Sequence, residues 1–348
     1  MTPTQQTQDE ADRVDLVYSY VLSQMGAKTI SEVLALWQSL PAGQAAQTAS
    51  AWLARAAELI LTKRGKAREL GLAYYRLARA LRTGSTIANP LNEEEPKNVS
   101  LEMLRQEFEA LVAETTGDGS TEVTAESEPS DDDDSIEVES VSGLSEALAA
   151  DESSTRSYVE ELLADMADDA TAKVEGIPDD TPTGDARAAS KELHLQHGAM
   201  IAAAAARVAM NGGKNATNQA SARDPRVIGW VRQSSTGTPC YWCAMLISRQ
   251  ILYKSDFTAG KGARSDGRIF LGDGLFKFHD NCHCVAVPVY SDADFKSNPK
   301  YAENRRYWAL WEKYIKGKFS GNEALNEWRK LIARIRANEN KPAAQAAA

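Results

Sequence analysis

Every cysteine of this 348-residue chain lies in one stretch, Pro239 to Cys284. Cys240 and Cys243 form a C-x-x-C pair within Pro239-Cys240-Tyr241-Trp242-Cys243, and Cys282 and Cys284 flank His283 in His279-Asp280-Asn281-Cys282-His283-Cys284. Two of the four histidines, His279 and His283, belong to the second cluster. Zinc takes four N or S ligands in a tetrahedron, and a C-x-x-C turn offers two thiolates to one ion with little backbone strain. In an extended segment Cys282 and Cys284 share one side and His283 points away. The preferred ligand set is therefore Cys240, Cys243, Cys282 and Cys284, with His279 as the substitute if the chain turns ahead of Cys282. A site with four protein ligands is structural, and its binding energy serves folding. A disulfide or free thiols, and a catalytic zinc, are the competing readings, and the paired spacing favours a metal over a disulfide framework.

Catalytic alternatives each lack a part. The P-C-x-x-C half matches zinc-dependent nucleobase deaminases, which also need an upstream H-x-E whose Glu shuttles the proton. The sequence contains no H-x-E. It has neither a G-x-S-x-G elbow nor H-E-x-x-H, so a cysteine nucleophile beside His279 or His283 is supported by composition alone. His194 and His197 share a helical face at i, i+3, but without the Glu of an H-E-x-x-H arrangement they read as a satisfied or exposed pair.

The elements that must position the cysteines are mostly helices. With 43% hydrophobic and 25% charged residues the composition is that of a globular chain, and its abundant alanine favours helix. The fold class expected is mainly α, with a small α+β Cys/His knuckle domain between a helical N-terminal region and C-terminal helices. Val14, Val17, Tyr18, Val21, Leu22 and Met25 recur at helical spacing with Gly26 as the stop, and a second short helix runs from Ser31 to Pro41. A pair at about 44–64 and 66–82 follows, with Gly84 as C-terminal cap, and then a helix over 99–114 capped by Asn98 or Ser100. Helices are also expected at 153–173 and at 185–210, the latter ending at Asn211-Gly212-Gly213. Strand character begins near Arg226 with Val227, Ile228, Trp230 and Val231, and returns around the second cluster at Phe276, Phe278, Val285, Val287 and Val289. Residues 255–275 read as a loop. Two helices beyond Tyr301 carry Tyr307, Trp308, Trp311 and Trp328, which read as helix core rather than base-stacking platforms.

Charge divides the chain. Residues 1–206 hold 16 Lys and Arg against 37 Asp and Glu, whereas residues 207–348 hold 23 against 12. Such asymmetry suits a basic half that meets nucleic acid or an acidic partner, against the plainer reading of solvated helix faces. Between Arg105 and Arg156 there is no Lys or Arg, and Asp131 to Asp134 sit in a Ser, Thr and Glu background. That interval is expected to be a disordered linker. The domains are accordingly drawn as a helical N-terminal domain at 1–115, an acidic linker at 116–150, a helical segment at 151–212, the knuckle at 213–291 and basic helices at 292–348. No apolar run reaches the length of a membrane span, and the N-terminus lacks a basic-then-apolar signal, so the protein is expected to be made and first used in a cytoplasm.

Gly229-Trp230-Val231-Arg232, the run Cys240 to Arg249, Tyr253, Phe278 to Cys284 and Val287-Pro288-Val289 together resemble the MuF-like minor capsid (head morphogenesis) proteins of tailed actinobacterial phages. The resemblance covers about 226 to 290, with support from Ala73-Tyr74-Tyr75-Arg76-Leu77 and Leu81-Arg82-Thr83-Gly84. It departs at Gln250, where the pattern has Gly. What it implies is a protein of few copies inside the procapsid near the portal, acting in head assembly with portal, scaffold and major capsid proteins and contacting packaged DNA through its basic half. Similar proteins are often called capsid maturation proteases; that is the alternative activity, with no catalytic set visible in the sequence.

Overall fold

The computed structural model describes residues 4–40, 45–92, 94–117, 135–178, 181–234, 238–249, 251 and 284–339. The fold is mainly α with a little β. It separates into two compact units, the first running from the N-terminus to Asp224 and the second beginning at Pro225 and including the C-terminal helices.

The first unit contains α1 (Gln5–Gln38), α2 (Ala45–Thr83), α3 (Leu101–Thr116), α4 (Leu144–Glu175) and α5 (Thr183–Arg223). A small sheet accompanies them, with β3 (Ser135–Glu139) between β1 (Ser85–Ile87), to which it is parallel, and β2 (Asn98–Ser100), to which it is antiparallel. α5 is the axis of this unit, buried almost all round from Ile201 to Ser221 and packed on α1, α2 and α4. Its alanines and glycines make that possible. A Cβ on Gly71 of α2 would lie 2.5 Å from the Gly213 carbonyl oxygen, and one on Gly212 would lie 2.2 Å from that of Arg64. The helix therefore passes through Asn211-Gly212-Gly213 instead of ending there, because these glycines serve close approach and not termination.

The same cause corrects the break placed at Gly26. α1 is one helix to Gln38, and Gly26 faces Met210, whose sulfur would stand 2.7 Å from an added Cβ. α2 also continues through Gly65, where no neighbour lies within 4 Å of an added Cβ. Gly84, in contrast, does end a helix: its φ is 78°, and its N–H donates to the Ala80 carbonyl at 2.8 Å. Ser100 caps α3 through a bond from the Met103 N–H at 3.1 Å.

Part of the interval expected to be disordered is ordered. Residues 118–134 lie outside the described residues, but Ser135–Glu139 forms β3 and α4 starts at Leu144. Ile136 is fully buried, and Glu139 accepts bonds from Arg79 and Ser85, so these residues have an apolar anchor and a cationic partner that composition alone conceals. The boundaries drawn at 150 and 212 fall inside continuous helices, α4 and α5.

Arginines on α2 bind the unit together. Arg76 meets Glu95 and Glu107, Arg79 meets Glu139 and Asp224, and Arg82 meets Asp12 and Asp15. The apolar core beside them joins Val33 and Trp37 of α1, Trp52 and Ile60 of α2, Leu163 of α4 and Ile201 of α5.

The second unit pairs β4 (Gly229–Ser234) with β5 (Cys284–Val289), antiparallel, from Gly229 opposite Val289 to Ser234 opposite Cys284. Its helices are α6 (Tyr241–Ile247), α7 (Asp292–Ser297), α8 (Ala302–Tyr314) and α9 (Gly321–Glu339). The strand pair lies where the sequence predicts it; Phe276, Phe278 and the loop at 255–275 lie outside the described residues. Trp328 is fully buried and Tyr307 nearly so, in the core with Ala244, Ile247 and Ile332. Trp308, at 38% exposure, departs from the expected core role.

Candidate metal centre

The C-x-x-C pair straddles the start of α6. Cys240 occupies the cap position usually filled by Ser or Asp, and its sulfur accepts the Cys243 N–H at 3.3 Å. One donor that the helix start leaves unmatched is thereby satisfied by a thiol, and the two cysteines are held on a single turn. Burial distinguishes them: Cys243 is 2% exposed, in line with Ala244 and Ile247, while Cys240 is only half-buried. Cys284 is equally buried and opens β5 opposite Ser234. The sheet register thus brings Cys284 to the end of β4 from which the chain continues to Cys240.

Of the expected ligands, Cys240 and Cys243 come together on one turn and Cys284 stands at the adjoining strand end. His279 and Cys282, with the neighbouring His283, lie outside the described residues. Among the described residues, no three His, Cys, Asp or Glu side chains gather as a group able to hold a metal. The donor set that is described is thus two sulfurs on one turn.

Several residues that carry no motif hold this turn. The Trp328 indole N–H donates to the Tyr241 carbonyl at 2.9 Å, and Arg336 donates to the Pro239 carbonyl. The Arg329 guanidinium lies 4.2 Å from the centre of the Tyr241 ring and donates to its hydroxyl at 2.5 Å. Buried Asn304 of α8 donates to the carbonyls of Arg232 and Ile247, at 2.9 and 3.2 Å, and so ties β4 to the end of α6. Glu303 accepts the Ser234 N–H, and burial pushes its carboxyl above the ordinary range although that bond and Arg306 oppose the shift. In the sequence Trp328 is recognisable as a core residue, but nothing there marks its N–H as a partner of the cysteine turn.

His194 and His197 belong to the first unit and bind its helices. The His197 ring contacts the Leu193 carbonyl at 2.7 Å through Nδ1 and Asp169 at 3.2 Å through Nε2. His194 stacks on Trp37 with ring centres 4.8 Å apart, and the Trp37 N–H donates to the His194 carbonyl at 2.8 Å. Burial, and secondarily the charge of His197, push the His194 imidazole below its usual value. The satisfied pair expected from the sequence is the one observed for His197, and the i, i+3 spacing serves packing.

A family described as VG15 protein has a model that matches residues 137–312, from within β3 to within α8, including the C-x-x-C turn. No curated protein and no solved structure matches the chain. Among the described residues, no helix is long and apolar enough to cross a membrane.

Proposed function

Since the chain belongs to the VG15 protein family and is a phage protein, we propose that it is a minor capsid protein acting in head morphogenesis near the portal, with a metal-closed knuckle as a structural element. The observation that carries this reading is the extent of the family match. It takes in Gly229 to Val289, the region whose residues resemble MuF-like head proteins, together with the helices α4 and α5 that precede it. The architecture suits a docking role: the first unit is a long-helix bundle with a densely ion-paired interior, which presents large rigid faces to portal, scaffold or major capsid protein. The second unit supports contact with packaged DNA, since Arg306 and Lys313 of α8 and Arg329, Lys330 and Arg334 of α9 are exposed, as is Lys316 between them.

The knuckle is read as a zinc site built on Cys240 and Cys243, with Cys282 and Cys284 as the remaining ligands and His279 as the substitute. Support comes from the thiol cap of α6 and from the sheet register that carries Cys284 to the same strand end. A closed thiolate site contributes to folding and leaves no open position for substrate. Two measurements test the proposal. Purified virions should contain the protein at a few copies per particle, and a phage with a nonsense codon in its gene should yield aberrant or DNA-poor heads; normal heads of full infectivity would overturn the head-assembly role. Metal analysis of the pure protein should give about one zinc per chain, and a metal-free protein with unchanged melting would overturn the knuckle.

A further inference from the structure

One helix grips the main chain on both sides of Cys240. Arg336 of α9 donates to the carbonyl of Pro239, the residue before it, and Trp328 of α9 donates to the carbonyl of Tyr241, the residue after it. Arg329, one residue on from Trp328, covers the Tyr241 ring and bonds its hydroxyl. The Pro239 carbonyl belongs to the peptide plane that sets φ of Cys240; the plane that sets its ψ carries the Cys240 carbonyl, which accepts the Ala244 N–H at 2.8 Å, and Trp328 holds the next plane, so the direction of the Cys240 side chain is fixed from both sides. For Cys240 that direction is the one in which its sulfur accepts the Cys243 N–H. Trp328 is itself immobile: it is fully buried, with Trp311 and Tyr307 edge-on at 5.3 and 6.2 Å between ring centres.

We infer that α9 is the positioning clamp of the thiol pair: Trp328 and Arg336 hold the Pro239–Cys243 turn in ligand geometry before any metal arrives. The inference rests on the reading of Cys240 and Cys243 as half of a metal site. Its consequence is that a helix about 90 residues away in sequence, and free of metal-binding side chains at these positions, sets the affinity of the site. A turn already ordered loses less conformational freedom on binding, which is the general advantage of preorganisation.

The test uses the full-length chain and two readouts. Trp328→Phe keeps an aromatic ring in the core and removes the N–H; Arg336→Ala removes the second donor, and Arg336→Lys restores a cation with donors. Lys330→Ala, on the same helix but paired with Glu327, is the control. Cobalt(II) titration, followed by thiolate charge-transfer absorption, should show about 10-fold weaker binding for Trp328→Phe and for Arg336→Ala, the equivalent of about 1.4 kcal/mol for one lost hydrogen bond. In the metal-free protein, iodoacetamide should alkylate Cys240 several-fold faster in those two variants, while Arg336→Lys and Lys330→Ala stay at the wild-type rate. Alkylation rates equal to wild type in both Trp328→Phe and Arg336→Ala, with only their melting temperatures lowered, would overturn the clamp and leave α9 a packing element. Absence of cobalt binding in the wild type together with the expected alkylation pattern would overturn the metal reading and keep the clamp.

Discussion

Replacing Asp224 with Ala should be the most destructive single change in the first unit outside its apolar core. Asp224 accepts from Arg79 Nε at 2.6 Å and from a terminal nitrogen at 3.2 Å, and it also accepts the Tyr75 hydroxyl at 2.7 Å. Both partners of the ion pair have side chains 0% exposed. Burial opposes the charge of Arg79, but its bonds to Asp224 and Glu139 outweigh that effect and hold its pKa above the ordinary arginine value. With Asp224 gone, Arg79 keeps Glu139, whose side chain is 23% exposed, and Ser85 at 3.1 Å, while the Tyr75 hydroxyl loses its bond to Asp224. Truncating one member of a buried pair costs about 3–5 kcal/mol. Replacing both ions by apolar groups, Arg79→Met with Asp224→Leu, removes the buried charge left without its Asp224 partner and should recover at least about 2 kcal/mol of the loss. Native-state hydrogen exchange on α2 and α5 amides reads the effect within this unit, without interference from the other. A loss below about 1 kcal/mol for Asp224→Ala, or a double variant no more stable than the single one, would refute the claim that the pair is held by mutual dependence in a dry interior.

Two glycines of α2 should respond oppositely to alanine. Gly71→Ala, whose Cβ would meet the Gly213 backbone at 2.5 Å, should cost about 3 kcal/mol or more, whereas Gly65→Ala, with nothing within 4 Å, should gain about 0.5–1 kcal/mol; equal melting temperatures would contradict the close-packing account. Acid should weaken the contact of α1 with α5. The folded-state pKa of His194 lies below its unfolded value of about 6.5, so its contribution is complete above that pH and is lost as pH falls. His197, Asp169 and Lys173 lie near this contact and are unaltered in His194→Phe, so that variant should melt with a shallower pH dependence between about 7.5 and 5, and parallel curves would exclude His194 as the titrating group. A chain of residues 137–348 should bind a hydrophobic dye and lack cooperative melting of α4 and α5, because α1 and α2 cover the buried face of α5; a native-like melt would show that these residues fold unaided.

Much of the helical framework was legible because apolar periodicity reports burial directly. The boundaries were not, because a glycine has two uses that look alike in sequence. Gly84 relieves a left-handed φ and ends α2; Gly26, Gly212 and Gly213 admit a neighbouring helix, and only the identity of that neighbour distinguishes the cases. The ordered end of the acidic interval was hidden for a related reason. Glu139 contributes to an acidic composition until Arg79, 60 positions away, is placed beside it. At the candidate site the C-x-x-C spacing was enough to place both cysteines on one turn. The clamp had no such signature: Trp328 and Arg336 act through main-chain carbonyls, and a carbonyl acceptor constrains no residue type at Pro239 or Tyr241.

The family match begins at residue 137, inside β3, yet the strand is the middle one of its sheet and both of its neighbours come from earlier in the chain. Ser85 to Ile87 and Asn98 to Ser100 pair with it on either side. Arg79, also outside the match, bonds Glu139 near its start and Asp224 within it, so one buried side chain ties the first strand of the matched segment to the end of its longest helix. An isolated middle strand would expose two unpaired edges, and α5 without α2 would expose the glycine face that Gly71 fills. The matched segment is therefore not a physical unit in its own right. Residues 5–116 complete its first half, and any partner bound by the α1–α2 side of the bundle acts on the same cooperative structure that ends at Asp224.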